Sequence, residues 1–174
     1  MKIDGIKRYI ELYDTENYLF KVIGPAVRKR GYFLFDEFYK ICMWKSARQK
    51  QRYIENKDSI EKISWAVFEE KDETKKMEFL CKLKGVSIPT ASALLSVVYP
   101  EKYAVIDIRC LETLKEMDYK IGNYPSAKTW IKYVKTMRDL AIENAVTPRE
   151  MDMALFAIHR DNLDKLGHRN LYKS

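Results

Sequence analysis

Three observations predict an all-α domain. Apolar residues recur at a helical period along nearly the whole chain, and only 6 Gly and 5 Pro interrupt it. The one strand-like run, Tyr103-Ala104-Val105-Ile106, has no partner strand nearby and reads as a buried connector. A length of 174 residues fits one domain, 1–174, or at most two small helical lobes sharing a core and flanking a cleft.

The elements follow in order. Ile6, Tyr9, Ile10 and Tyr13 form a first stripe, and Tyr18, Leu19, Val22 and Ile23 a second that should stop at Gly24-Pro25. Asp36 is a candidate cap for a helix carrying Phe38, Ile41, Cys42 and Trp44, and Ser59 opens another with Ile60, Ile63 and Val67. After an acidic bend at 69–73, Met77, Leu80, Cys81 and Leu83 predict a short helix ending at Gly85. The run 90–98 is apolar nearly all round, which predicts burial, and Pro100 ends it. A helix should start at Asp107, and two longer ones at Pro125 and Pro148, the latter capped by Thr147 and running to about His159 with a core stripe from Met151 to Ile158. A tail follows from about residue 167.

Charge and cysteine content exclude several classes. Lys and Arg outnumber Asp and Glu by 32 to 25, a formal +7, which suits a polyanionic partner such as nucleic acid or an anionic membrane surface. No apolar run approaches the roughly 18 residues of a membrane helix, and Met1-Lys2-Ile3-Asp4 has no apolar leader. Cys42, Cys81 and Cys110 are too few and too scattered for a disulfide framework, a zinc ribbon or a four-cysteine cluster. A cytoplasmic, monomeric protein without membrane association is the expectation.

The informative segment is 77–114. Leu83-Lys84-Gly85-Val86-Ser87-Ile88-Pro89-Thr90-Ala91 joins two short helices through a tight turn in which Gly85 supplies the left-handed conformation. The next helix opens with backbone N–H groups suited to a phosphate, so Gly85, Val86, Ser87, Ile88, Pro89 and Thr90 are candidate contacts to a nucleic-acid backbone. Asp107 follows at the start of a helix, where aspartate is a preferred cap and the helix dipole favours its charge. Arg109, near the same helix start, suits either a phosphate contact or a surface salt bridge with Glu112.

These residues resemble the helix-hairpin-helix DNA glycosylases of the endonuclease III, adenine-glycosylase and 8-oxoguanine-glycosylase superfamily. The family's hairpin reads roughly L-P-G-V-G-x-x-T-A, followed by a Gly/Pro-containing loop and a catalytic aspartate; the matching positions are Leu83 to Ala91, Tyr99-Pro100-Glu101-Lys102 and Asp107. The resemblance implies that Asp107 stabilises the sugar cation formed as a base departs, and orients or deprotonates water. The lyase lysine of bifunctional members would fall on Pro89, 18 residues ahead of Asp107, so a glycosylase without lyase activity is implied. Ser87 replaces the hairpin's second glycine, and iron–sulfur cysteines are missing. No cofactor is required, although the resemblance implies a monovalent cation, K+ or Na+, on the carbonyls of Cys81, Leu83 and Val86.

A second segment, Lys40 to Lys57, carries Lys40, Lys45, Arg48, Lys50, Arg52 and Lys57 against the single acid Glu55, with Trp44 and Tyr53 among them. Aromatic and basic residues together suit a pocket for a flipped base or its phosphate clamp, so Trp44, Lys45, Arg48 and Tyr53 are candidates; Trp44 equally suits a core position. Trp44-Lys45-Ser46-x-Arg48 also resembles a feature of small bacterial relatives of 8-oxoguanine glycosylases. Lys45 is the other amine to weigh for a lyase role, but nothing in the sequence sets it beside Asp107. His159 and His168 lack ligand spacing. The expected function is excision of a damaged or enzymatically modified base from double-stranded DNA, in base-excision repair or in defence against phages with modified DNA. The alternative is a non-catalytic helix-hairpin-helix module that binds DNA.

Overall fold

A computed structural model describes residues 1–11 and 17–165. Tyr13, His168 and the tail from residue 167 lie outside them. The described residues form helices α1 (Ile6–Glu11), α2 (Gly24–Arg30), α3 (Phe35–Lys45), α4 (Lys50–Ile54), α5 (Ile60–Glu69), α6 (Glu73–Cys81), α7 (Ile88–Val98), α8 (Ile108–Glu116), α9 (Ala127–Asn144) and α10 (Pro148–Lys165). A π-helical turn (Leu19–Ile23) leads into α2, a 3₁₀ turn (Ala47–Gln49) separates α3 from α4, and there is no strand among the described residues.

Helix α7 is the hub, because a helix that is apolar all round must be covered on every side. Every residue from Thr90 to Val98 is buried, and α2, α3 and α6 pack around it. A second group forms on α10, which packs against α1, α8 and α9. One continuous hydrophobic cluster, running through Val27, Phe38, Leu94, Leu95, Tyr133 and Leu155, joins the two groups into one core.

Several boundaries differ from expectation. Gly24-Pro25 does not stop the second stripe: Pro25 occupies the first turn of α2, where its missing N–H costs nothing. Gly24 is there because a Cβ would lie 2.1 Å from the Val97 carbonyl oxygen, so only glycine lets α2 approach α7 this closely. Asp36 is not the cap of α3; it sits inside the first turn, and Glu37 reaches back to accept the Leu34 N–H at 2.9 Å. Helix α9 starts after Pro125, with Ser126 Oγ accepting from Thr129 N–H at 3.1 Å. Thr147 caps α10 as predicted, its Oγ1 accepting from Glu150 N–H at 3.1 Å while Glu150 accepts in return from Thr147 N–H at 2.7 Å.

The connector from Tyr103 to Ile106 is buried without a sheet, so its backbone polar groups need other partners. Side chains supply them. Val105 N–H donates to Asp152 at 2.6 Å and Ile106 N–H to Ser92 Oγ at 3.1 Å. The Tyr103 carbonyl accepts from Ser96 Oγ at 3.0 Å, and the Val105 carbonyl from Tyr133 Oη at 2.9 Å. Four bonds from α7, α9 and α10 thus fix the segment that delivers Asp107.

Candidate active site

Asp107 ends that fixed connector and caps α8. Its extended backbone lets Oδ1 accept the Cys110 N–H at 3.0 Å, leaving Oδ2 directed elsewhere. Oδ2 lies 3.5 Å from Lys45 Nζ, at the last residue of α3; the two side chains are 22% and 16% exposed. The sequence reading had no ground for setting Lys45 beside Asp107, yet the packing of α3 places it there. Lys45 thus brings an amine to Asp107 from another helix.

The pair opens into a cavity of about 240 Å³, lined also by Trp44, Val105, Arg149, Asp152, Met153 and Phe156. That is just below the roughly 300–1,000 Å³ of drug-sized ligand sites, a scale for one heterocycle. Trp44 is half-buried, meets Phe20 edge-on at 5.9 Å and takes the Arg149 guanidinium over its ring at 5.5 Å. Core packing and a cavity wall are thus one position, because the ring has two faces. Arg149 also lies over Phe20 at 4.8 Å and bonds Asp152.

Arg149 and Asp152 also line the candidate site, although the sequence from 151 to 158 reads as a plain core stripe. The signal was available in their spacing. Positions 149, 152, 153 and 156 share one face of α10, and that face pairs opposite charges with Met153 and Phe156. Asp152 is buried, and burial pushes its carboxyl up to about 7, with Asp107 acting in the same direction and Arg149, the Val105 N–H and Lys45 opposing.

The turn between α6 and α7 is adjacent. Gly85 has φ +80°, the left-handed conformation expected of it, and a Cβ there would meet the Tyr53 ring at 3.0 Å. Ser87 is exposed and Gly85, Ile88 and Pro89 half-buried, so these four can meet a backbone. Val86 and Thr90 are buried: Thr90 Oγ1 lies 3.4 Å from Ser87 Oγ and braces the turn from within. The 3₁₀ turn brings exposed Arg48 to the same surface, where Lys45, Ser46, Ala47, Arg48, Ser87 and Pro89 line one shallow depression. This depression shares Lys45 with the Asp107 cavity.

One expectation is corrected here. Tyr53 is not a wall for a base; it is fully buried beneath Gly85, edge-on to Phe38, with its hydroxyl donating to the Ser46 carbonyl at 3.0 Å. The carbonyls of Cys81, Leu83 and Val86, on which a monovalent cation is expected, belong to the turn between α6 and α7 and its flanks. The Leu83 carbonyl accepts the Val86 N–H, and the cavity that these residues line also holds Arg48 and Arg52.

Arg109 lies with its guanidinium 4.7 Å from the ring of Phe156, which lines the Asp107 cavity, and Glu112 meets His159 Nε2 at 2.7 Å. His159 is buried. Cys42, Cys81 and Cys110 are all free thiols; burial raises each, Cys81 to about 11, so none is a ready nucleophile. Among the described residues no group of His, Cys, Asp and Glu is arranged to hold a metal ion, and no helix is long and apolar enough to cross a membrane. No family model matches the chain, and no solved structure matches it.

Proposed function

We propose that the protein excises a damaged or enzymatically modified base from double-stranded DNA, by hydrolysis of its N-glycosidic bond. The observation that carries this reading is the Asp107 carboxylate: a connector bonded at four points delivers it to the mouth of a heterocycle-sized cavity. Trp44 and Phe156 line this cavity, which a flipped base would leave the stack to reach. The turn at 85–89 with Arg48 alongside supports a grip on the flanking phosphates, in the manner of a helix-hairpin-helix. As the base departs, Asp107 faces the positive charge developing at C1′ and then receives a proton from the attacking water. Repair of damaged bases and defence against phage DNA with modified bases both fit this chemistry.

A lyase step is the second reading, favoured by the 3.5 Å approach of Lys45 Nζ to Asp107. An amine there can attack C1′ and form a Schiff base, which borohydride traps as a covalent protein–DNA adduct. Duplexes bearing 8-oxoguanine, hypoxanthine, uracil, an alkylated purine or glucosylated hydroxymethylcytosine test both readings. Free base detected by mass spectrometry, without a trapped adduct, is the expected result. Binding without release of any base would leave a non-catalytic DNA-binding module.

A further inference from the structure

Two carboxylates line the Asp107 cavity, and their surroundings differ. Asp107 is partly open to water, caps α8 and faces the Lys45 ammonium. Asp152 is 3% exposed at the floor, where Oδ2 accepts the Val105 N–H at 2.6 Å and Oδ1 accepts from Arg149. The groups facing Asp152 are Arg149 from its own helix, Lys45 from α3, Asp107 and Cys110 at the start of α8, and Tyr133 from α9. Burial raises both Cys110 and Tyr133 well above their usual range, so they are neutral near pH 7. Only Arg149, Lys45 and Asp107 bring charge. Paired acids whose environments separate their proton affinities divide acid and base roles between them.

Resting on the base-excision reading, we propose that Asp152 is the general acid of the reaction, giving a proton to the departing base from the cavity floor while Asp107 faces the sugar. Its substrates are then neutral bases, which need a proton on a ring nitrogen or a carbonyl oxygen to leave uncharged. As the C1′–N bond breaks, its electron pair stays on the base nitrogen and the Asp152 proton moves to the base. Water adds to C1′ and gives one proton to Asp107, and that proton returns through solvent to Asp152. The net reaction consumes one water and yields the free base and the C1′ hydroxyl of the abasic site.

The test is the pH dependence of single-turnover release of the neutral base that the wild type excises fastest from the duplexes named above. The wild-type rate is expected to be high below pH about 7 and to fall above it, as Asp152 loses its proton. Asp152→Asn keeps an acceptor for the Val105 N–H; it is expected to lose about 100-fold at pH 6 and to show no descending limb. Asp152→Glu, which again carries a proton, is expected to recover about tenfold over Asn. Thermal unfolding and duplex binding of both variants identify a loss of fold, in which case the wild-type profile decides. A wild type without a limb near 7, or an Asn variant that keeps it, overturns the role of Asp152 and leaves base excision standing. A wild type that releases no base overturns the base-excision reading itself.

Discussion

On the proposed reading, Asp107 divides a structural and a chemical role between its two oxygens, and substitution can separate them. Oδ1 caps α8 through Cys110 N–H at 3.0 Å, while Oδ2 lies toward Lys45 and the cavity. Asparagine caps a helix about as well as aspartate, so Asp107→Asn keeps the cap and loses the charge. Alanine loses both. The cap is worth about 1 kcal/mol, and α8 buries Cys110, Leu111, Thr113 and Leu114, so fraying of its first turn is felt in the core. For a chain of this length that energy lowers the melting temperature of Asp107→Ala by about 2–4 °C. Asp107→Asn should melt within about 1 °C of the wild type, yet lose at least about 100-fold in base release, the order of effect of removing one preorganised electrostatic group. Thermal melts and single-turnover release on one duplex measure both quantities. If the Asn variant released base at the wild-type rate, Asp107 would be a cap only. If it melted like the Ala variant, the separation of roles on the two oxygens would be refuted.

Other expectations follow from the same geometry. Asp152 is raised in the folded state from 3.8 to about 7, so between those values the unfolded chain has lost a proton that the folded chain keeps. Stability from this group is therefore fully present below pH about 4, falls progressively up to about 7, and levels off above. Urea titrations at several pH values should show that fall in the wild type and a shallower one in Asp152→Asn; parallel slopes would count against it. Gly24→Ala gains about 1 kcal/mol of helix propensity but forces a Cβ to 2.1 Å from the Val97 carbonyl oxygen. The clash outweighs the gain, so a net loss of about 1–3 kcal/mol is expected, and an alanine variant as stable as the wild type would show that α2 shifts freely. Arg48→Ala should flatten the salt dependence of duplex binding by about one unit of slope, whereas Lys45, turned toward Asp107, should act mainly on base release. An unchanged slope for Arg48→Ala would remove the 3₁₀ turn from the interface.

Much of this fold is legible along the chain because it depends on near neighbours. The all-round apolar pattern of 90–98 dictates a buried helix, and Thr147 and Asp107 are caps because their side chains need to reach only three residues ahead. Gly85 is legible too, since a sharp reversal between two helices needs a left-handed residue. Boundaries near proline were less so. Gly24-Pro25 reads as a stop when the chain is considered alone, and as a close approach once Val97 is known to lie against it.

The candidate site lies at the other extreme. The family resemblance and its place at a helix start mark Asp107, but not the lysine beside it, nor the second carboxylate beneath it. Lys45 reads as one cation among six in a basic segment, and Asp152 as a lapse in an apolar stripe. Tyr53 reads as a pocket or clamp aromatic among cations, although it supports the turn from inside. Helical period and capping arise from contacts a few residues apart, which the order of residues already contains. The meeting of α3, the 103–107 connector and α10 arises from burying three apolar faces at once. That burial brings Lys45 to Asp107 and removes Asp152 from water, so the electrostatic character of the pocket belongs to the packed structure.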